Sequence, residues 1–206
     1  MPDRVAQATP DHAVKALADS TRDLLAMTGD RTMASFLSEW PIGISPSRRV
    51  TSRKLPVLEW IDSLEQAAVP ATRALVKMFV DGARSLAWAQ TYTPADFGAS
   101  FLERYAWTEL IGLRGPIASA KIAAGFLLLG PAVEYPLHSH EAEEVYFPLA
   151  GAAQWQRDDG DWIGKAPGTL IHHASGVPHA MRTEREPLLA FYVWRGGNLA
   201  QKSTIL

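Results

Sequence analysis

From Glu103 to Gly196 the chain is cut by glycine and proline into short runs of branched and aromatic residues at roughly 8–12-residue spacing, and this constrains the fold more than any other feature. The runs are ERYAWTELIG, IASAKIAAGFLLLG, EEVYFPLAG, AAQWQR, TLIHHASG, HAMRTE and LLAFYVWRG. Strands of this length separated by turn signals predict an antiparallel sandwich or barrel. The Asp-Gly pair within Asp158-Asp159-Gly160-Asp161 predicts a hairpin between AAQWQR and DWIGKA.

The chain before this region has a different period. From residue 11 to about residue 92 the apolar positions step by three and four: Val14, Leu17, Thr21, Leu24 and Leu25; then Val57, Ile61 and Leu64; then Leu75, Met78, Phe79, Gly82 and Leu86. Pro70 is placed to open the last of these helices, and Trp40 to Pro46, with two prolines and a glycine, reads as a connector. The expected fold class is therefore α+β, with a helical N-terminal region over 1–100 and a β-barrel over 101–206. A length of 206 residues suits one core with an accessory region. Composition narrows the function classes. A formal charge of −2 with scattered arginines argues against a nucleic-acid partner, and no apolar run reaches membrane-spanning length. The opening MPDRVAQATPDHAVKAL lacks the apolar core of a signal peptide, so the expected location is the cytoplasm. With no cysteine, disulfides, thiolate zinc sites and cysteine nucleophiles are excluded, and any metal must be held by nitrogen and oxygen.

One stretch concentrates such donors: His138-Ser139-His140-Glu141-Ala142-Glu143-Glu144-Val145-Tyr146 holds two of the six histidines. On a regular strand the even-numbered His138, His140, Glu144 and Tyr146 share a face, and a small bend at 141–143 would still leave two imidazoles and a carboxylate within reach of one ion. Glu143, of odd parity, turns away. Imidazole and carboxylate donors without thiolate suit Zn²⁺, Fe²⁺, Mn²⁺, Co²⁺ or Ni²⁺. A His-x-His pair alone is more often a polar hairpin face. The spacing continues, however: Gly130 precedes His138-x-His140, Glu144 follows, and Gly151 closes the segment, while downstream stand Gly168, Ala174-x-Gly176-x-x-His179 and Thr183. These resemble the two metal-binding motifs of the cupin superfamily, with Ala174 where proline is usual and Thr183 where asparagine is usual. His172 and His173 are adjacent and face opposite ways, one into the barrel and one to solvent; neither is expected to be a ligand. His12 is expected to be exposed on a helix.

Fold does not name a reaction, so the neighbours of the donors carry the argument. Tyr135 and Tyr146 flank the set, and a phenol beside a divalent cation becomes available as a base near neutral pH. Tyr135-Pro-Leu-His138-Ser-His140, Glu144-x-Tyr146, Gly176-Val-Pro-His179 and the closing Phe191-Tyr-Val-Trp194, with a helical extension, resemble the small bacterial cupin lyases that cleave dimethylsulfoniopropionate. The resemblance in motifs covers about residues 130–196. It implies one divalent metal on His140, Glu144, Tyr146 and His179, with His138 beside the substrate and either Tyr146 or Tyr135 as base. The substrate it implies is a small zwitterion with a carboxylate and a sulfonium, and aromatic faces suit the sulfonium. Trp194, Tyr192, Phe147 and Trp155 are candidates for that role, Trp194 first. Other readings of the same donors are an iron dioxygenase, a sugar isomerase or a cupin that binds a small metabolite without turnover. The N-terminal helices pack on the barrel, cap one mouth of it, or form the face of a homodimer.

Overall fold

The computed structural model describes residues 10–43 and 45–206; the rest of the N-terminal segment and Ile44 lie outside it. Helix α1 (Pro10–Ala26) carries His12 exposed, and buries Leu17, Thr21 and Leu25 at the expected spacing. Helix α2 (Arg31–Leu37) is capped by Asp30, whose carboxylate accepts from the Met33 amide at 3.0 Å. Val57, Ile61 and Leu64 are buried as their spacing predicts, but Pro56–Ser63 winds as a tighter 3-10 helix. Helix α3 (Arg73–Gly82) begins three residues beyond Pro70. The barrel sets that start. Ala68 bridges Ala150, the Gly151 amide donates to the Ala67 carbonyl, and the Thr72 hydroxyl donates to the Leu149 carbonyl at 2.6 Å. The described residues of the 40–46 connector are non-helical.

Two sheets follow. The first runs β1 (Trp88–Ala89), β2 (Tyr105–Gly112), β4 (Ile122–Leu129), β11 (Leu188–Arg195), β6 (Glu143–Ala150) and β9 (Ile171–His173), with β3 (Ile117–Ala118) against the end of β2. The second runs β12 (Thr204–Ile205), β5 (Glu134–Ser139), β10 (His179–Thr183), β7 (Ala153–Arg157) and β8 (Ile163–Lys165). Pairing is antiparallel except between β2 and β3. From β4 onward the chain repeatedly crosses from one sheet to the other, which is the double-sheet arrangement of a jelly roll. Short helices α4 (Pro94–Phe97) and α5 (Ala99–Glu103) lie between β1 and β2, so the first β pairing precedes residue 100. The expected hairpin joins β7 to β8, but its loop is five residues long and the Asp158 backbone takes the left-handed conformation at φ 51°.

The first sheet is buried on both faces. Val145, Phe147, Phe191, Val193, Phe126 and Leu128 pack into one core with Leu17, Phe36 and Phe79 of the helices. Their strand neighbours Tyr146, Tyr192, Leu127 and Leu129 face the other way, into a second core with Tyr135, Trp155 and Met181 of the second sheet. Double burial is why β4 reads as the uninterrupted IAAGFLLL. Helices on one side and the second sheet on the other thus fix which residues of β6 and β11 meet inside the barrel.

Candidate metal centre and active-site cavity

The stretch HSHEAEEVY is not one strand. β5 ends at Ser139 and β6 begins at Glu143, and they belong to different sheets, with a turn at 140–142 between them. Shared parity therefore does not bring its donors together. The turn does so by carrying the chain across the barrel: His138 is next to last in β5, His140 sits at the turn, and Glu144 is second in β6 on the opposite sheet. His179 opens β10 as the register partner of His138. One ring nitrogen from each of His138, His140 and His179 lies within 4.8 Å of the others. Glu144 Oε2 is 3.0 Å from His140 Nε2 and 3.2 Å from His179 Nε2, the latter too poorly angled for a hydrogen bond. All four side chains are buried.

The other nitrogen of each ring fixes its orientation. His138 Nδ1 meets the Pro136 carbonyl at 2.8 Å, His140 Nδ1 the Ala142 carbonyl at 2.8 Å, and His179 Nδ1 the Val177 carbonyl at 2.9 Å. A carbonyl only accepts, so each Nδ1 carries a proton, and in its neutral form each ring keeps an Nε2 lone pair free to bind a cation. In that form the His140 and His179 lone pairs meet the Glu144 carboxylate with no positive charge among them, an arrangement that a bound cation completes. The donor set fits a divalent metal, and the carbonyl-oriented imidazole is the usual support for one. Among the protein groups alone, burial opposes charge on Glu144, but the imidazoles of His140 and His179 outweigh it and hold the carboxyl well below its usual range. Burial likewise opposes charge on His140, and Glu144 outweighs it and raises the imidazole. His138 is pushed well down by burial, with His179 adding to the effect.

Aromatic rings wall the centre. The Trp194 indole stacks on His140 with ring centres 4.1 Å apart and donates from Nε1 to Glu144 Oε1 at 2.6 Å. Tyr135 stacks on His138 at 4.2 Å, its plane within 8° of parallel. Tyr135, Glu144, Tyr146, Tyr192 and Trp194 line one cavity of about 300 Å³, to whose wall residues 199–203 also contribute. Burial raises the phenols of Tyr135, Tyr146 and Tyr192 well above the ordinary tyrosine value, with the Glu144 charge adding to the effect at Tyr146.

A family model for dimethylsulfoniopropionate lyase matches residues 31–190. The chain belongs to the dimethylsulfoniopropionate lyase family. It is 35% identical over 164 residues to the dimethylsulfoniopropionate lyase DddQ of Ruegeria pomeroyi, covering 80% of this chain and 81% of the relative. It is also 35% identical over 139 residues to a putative dimethylsulfoniopropionate lyase, DddL, of Cereibacter sphaeroides, covering 66% of this chain and 56% of that one. The crystal structure of the Ruegeria pomeroyi DddQ superposes with a TM-score of 0.84 at 32% identity, over 95% of this chain and 96% of the other.

Within this dimethylsulfoniopropionate lyase fold, the residues singled out from the sequence are divided by strand parity. Tyr192 and Trp194 pair with Tyr146 and Glu144 across β11 and β6 and face the cavity. Phe147, an aromatic candidate, packs instead with the helices, because odd positions of β6 face that side. Trp155 is inside the barrel, 6.4 Å from the Tyr146 ring, but does not line the cavity. Glu143 turns away to bind Arg195 and His172. His173 points inward and stacks face to face on His179 at 4.0 Å; among the described residues neither of its nitrogens has a hydrogen-bond partner. Tyr105, Trp107 and Glu109 of β2 also line the cavity, a contribution the alternation in RYAWTE signals but the motifs do not. The motif glycine Gly151 has φ +81°, and a Cβ there would sit 1.8 Å from the Pro187 carbonyl oxygen. Thr183, standing where asparagine is usual, ties its hydroxyl to the Gly130 carbonyl at 2.7 Å and so joins the ends of the two motifs. No helix of the described residues is long and apolar enough to cross a membrane.

Proposed function

We propose that the chain cleaves dimethylsulfoniopropionate to dimethyl sulfide and acrylate by β-elimination at this centre. The observation that carries the reading is a group of three imidazoles gathered on Glu144, a carboxylate that itself lines an aromatic-walled cavity together with the phenols of Tyr135 and Tyr146, in a member of this family. His140, Glu144, Tyr146 and His179 would hold one divalent transition metal, with His138, the third imidazole of the group, beside the substrate. The nitrogen and oxygen donors suit Zn²⁺, Fe²⁺, Mn²⁺, Co²⁺ or Ni²⁺ alike. When bound, the metal supplies positive charge that steadies the substrate carboxylate and lowers the proton affinity of a neighbouring phenol.

The protein side chains do the rest. Tyr135 or Tyr146, having first given up its own proton to become the phenolate that the metal's charge would favour, accepts the proton from the carbon next to the carboxylate. The electrons of that C–H bond form the new C=C bond, and the C–S bonding pair leaves with sulfur, so a cation departs as neutral dimethyl sulfide and acrylate remains. Trp194 and Tyr192 present π faces to the sulfonium, which has no hydrogen-bond donor to offer.

The test is to incubate metal-loaded protein with dimethylsulfoniopropionate and follow headspace dimethyl sulfide together with acrylate. Equal amounts of both are expected, with loss on chelation and a drop of about 10²–10⁴-fold in Tyr135→Phe or Tyr146→Phe, whichever is the base. Absence of both products from protein with its metal bound would overturn the reading.

A further inference from the structure

Tyr92 lies outside every motif, in the segment between β1 and α4, yet it is buried and its hydroxyl is 2.9 Å from that of Tyr135. The Tyr135 ring is already fixed in plane by its stack on His138. Stacking leaves the ring free to slide along that plane. A hydrogen bond to the phenol oxygen removes this freedom. Tyr92 is itself held on all sides: its ring packs on Phe97 at 4.5 Å, on Tyr105 at 5.8 Å and edge-on to Tyr135 at 5.7 Å. The backbone just after it is pinned by a capping box, in which Thr93 and Asp96 bond reciprocally. Lys202 of the C-terminal segment binds Asp96 at 2.9 Å and lies over the Tyr92 ring at 5.3 Å.

We infer that Tyr92 is a positioning residue, which fixes the Tyr135 hydroxyl at the cavity wall and so makes the region before β2 a part of the active site. The inference rests on the reading of Tyr135 as a group that acts on the substrate. A rigid hydroxyl partner matters because small misplacements of a reacting group are costly to rate even when binding is unchanged.

The experiment is a double-mutant cycle on the metal-loaded enzyme, with kcat and KM for dimethylsulfoniopropionate, bound metal and melting temperature measured for Tyr92→Phe, Tyr135→Phe and the double variant. Tyr92→Phe keeps the ring and its packing and removes only the oxygen. The expected result is a kcat about 10-fold lower in Tyr92→Phe with KM changed less than about twofold, and a double variant no slower than Tyr135→Phe alone. A merely structural role would lower the double variant further. Unchanged kcat in Tyr92→Phe beside an impaired Tyr135→Phe would overturn the inference alone, as would losses that multiply in the double variant. A fully active Tyr135→Phe would overturn the inference together with the assignment of Tyr135, and leave Tyr146 as base.

Discussion

Trp194 supports two donors of the centre where a phenyl ring would support one: it stacks over His140 and donates from Nε1 to Glu144 Oε1 at 2.6 Å. Trp194→Phe keeps an aromatic face and frees Oε1. Metal affinity is then expected to fall about 10–100-fold, read by competition with a chromophoric chelator; unchanged affinity would show that the carboxylate needs no such support. His173 makes a second prediction at this scale. Burial, with the His179 imidazole adding to it, depresses its pKa from 6.5 to about 3. The unfolded chain therefore binds the extra proton first as pH falls, so this stability is intact above about 6.5 and is lost on the way down to about 3. His138 is depressed for the same reason. The melting temperature of metal-free protein should fall between pH 7 and 4, less steeply in His173→Phe; a flat profile would rule out a neutral buried imidazole. Most of the centre was legible at this scale, because His138, His140, Glu144 and His179 occur at motif spacing. Tyr92 was not, since a lone tyrosine in a loop has no pattern, and its meeting with Tyr135 is made by tertiary folding.

The strands were legible because glycine and proline punctuate them, and the expected runs coincide with β2, β4, β6, β7, β9, β10 and β11. The two-residue β1 and β12 were not, as pairing so short leaves no periodicity to read. The helical start at Pro70 failed for a related reason. Residues 67–72 answer to Leu149, Ala150 and Gly151 of the barrel, and such long-range bonds are invisible to local propensity. Gly151 shows how tightly these elements are joined. Gly151→Ala would force a Cβ toward the Pro187 oxygen at a left-handed φ, and should cost at least the upper part of about 1–3 kcal/mol in urea unfolding. A cost within error of zero would mean that the turn can open without penalty.

At the scale of the whole molecule, the helices share one apolar core with the outer face of the first sheet. Helical region and barrel should therefore melt together in a single calorimetric transition whose van't Hoff and measured enthalpies agree. Two resolved transitions would show that residues 1–100 and 101–206 fold as separate units. The helix and strand periods of the two regions could be read from sequence, and packing of the helices on the barrel was one of three readings open there; the shared core bears that one out, while which residues meet in it could not be read, because both sets of apolar positions look like ordinary amphipathic faces. The double burial of the first sheet has one more consequence. In a sheet with a wet side, a slip of one residue exposes grease; here it would exchange the residues facing the helices with those facing the cavity. Val145 and Phe147 would enter the cavity, and Glu144 and Tyr146 would be pressed, uncompensated, among the helices. The strand alignment that brings Glu144 to the histidines is thus also the one that keeps its charge out of the helical core, so a one-residue slip loses the centre and the stability together.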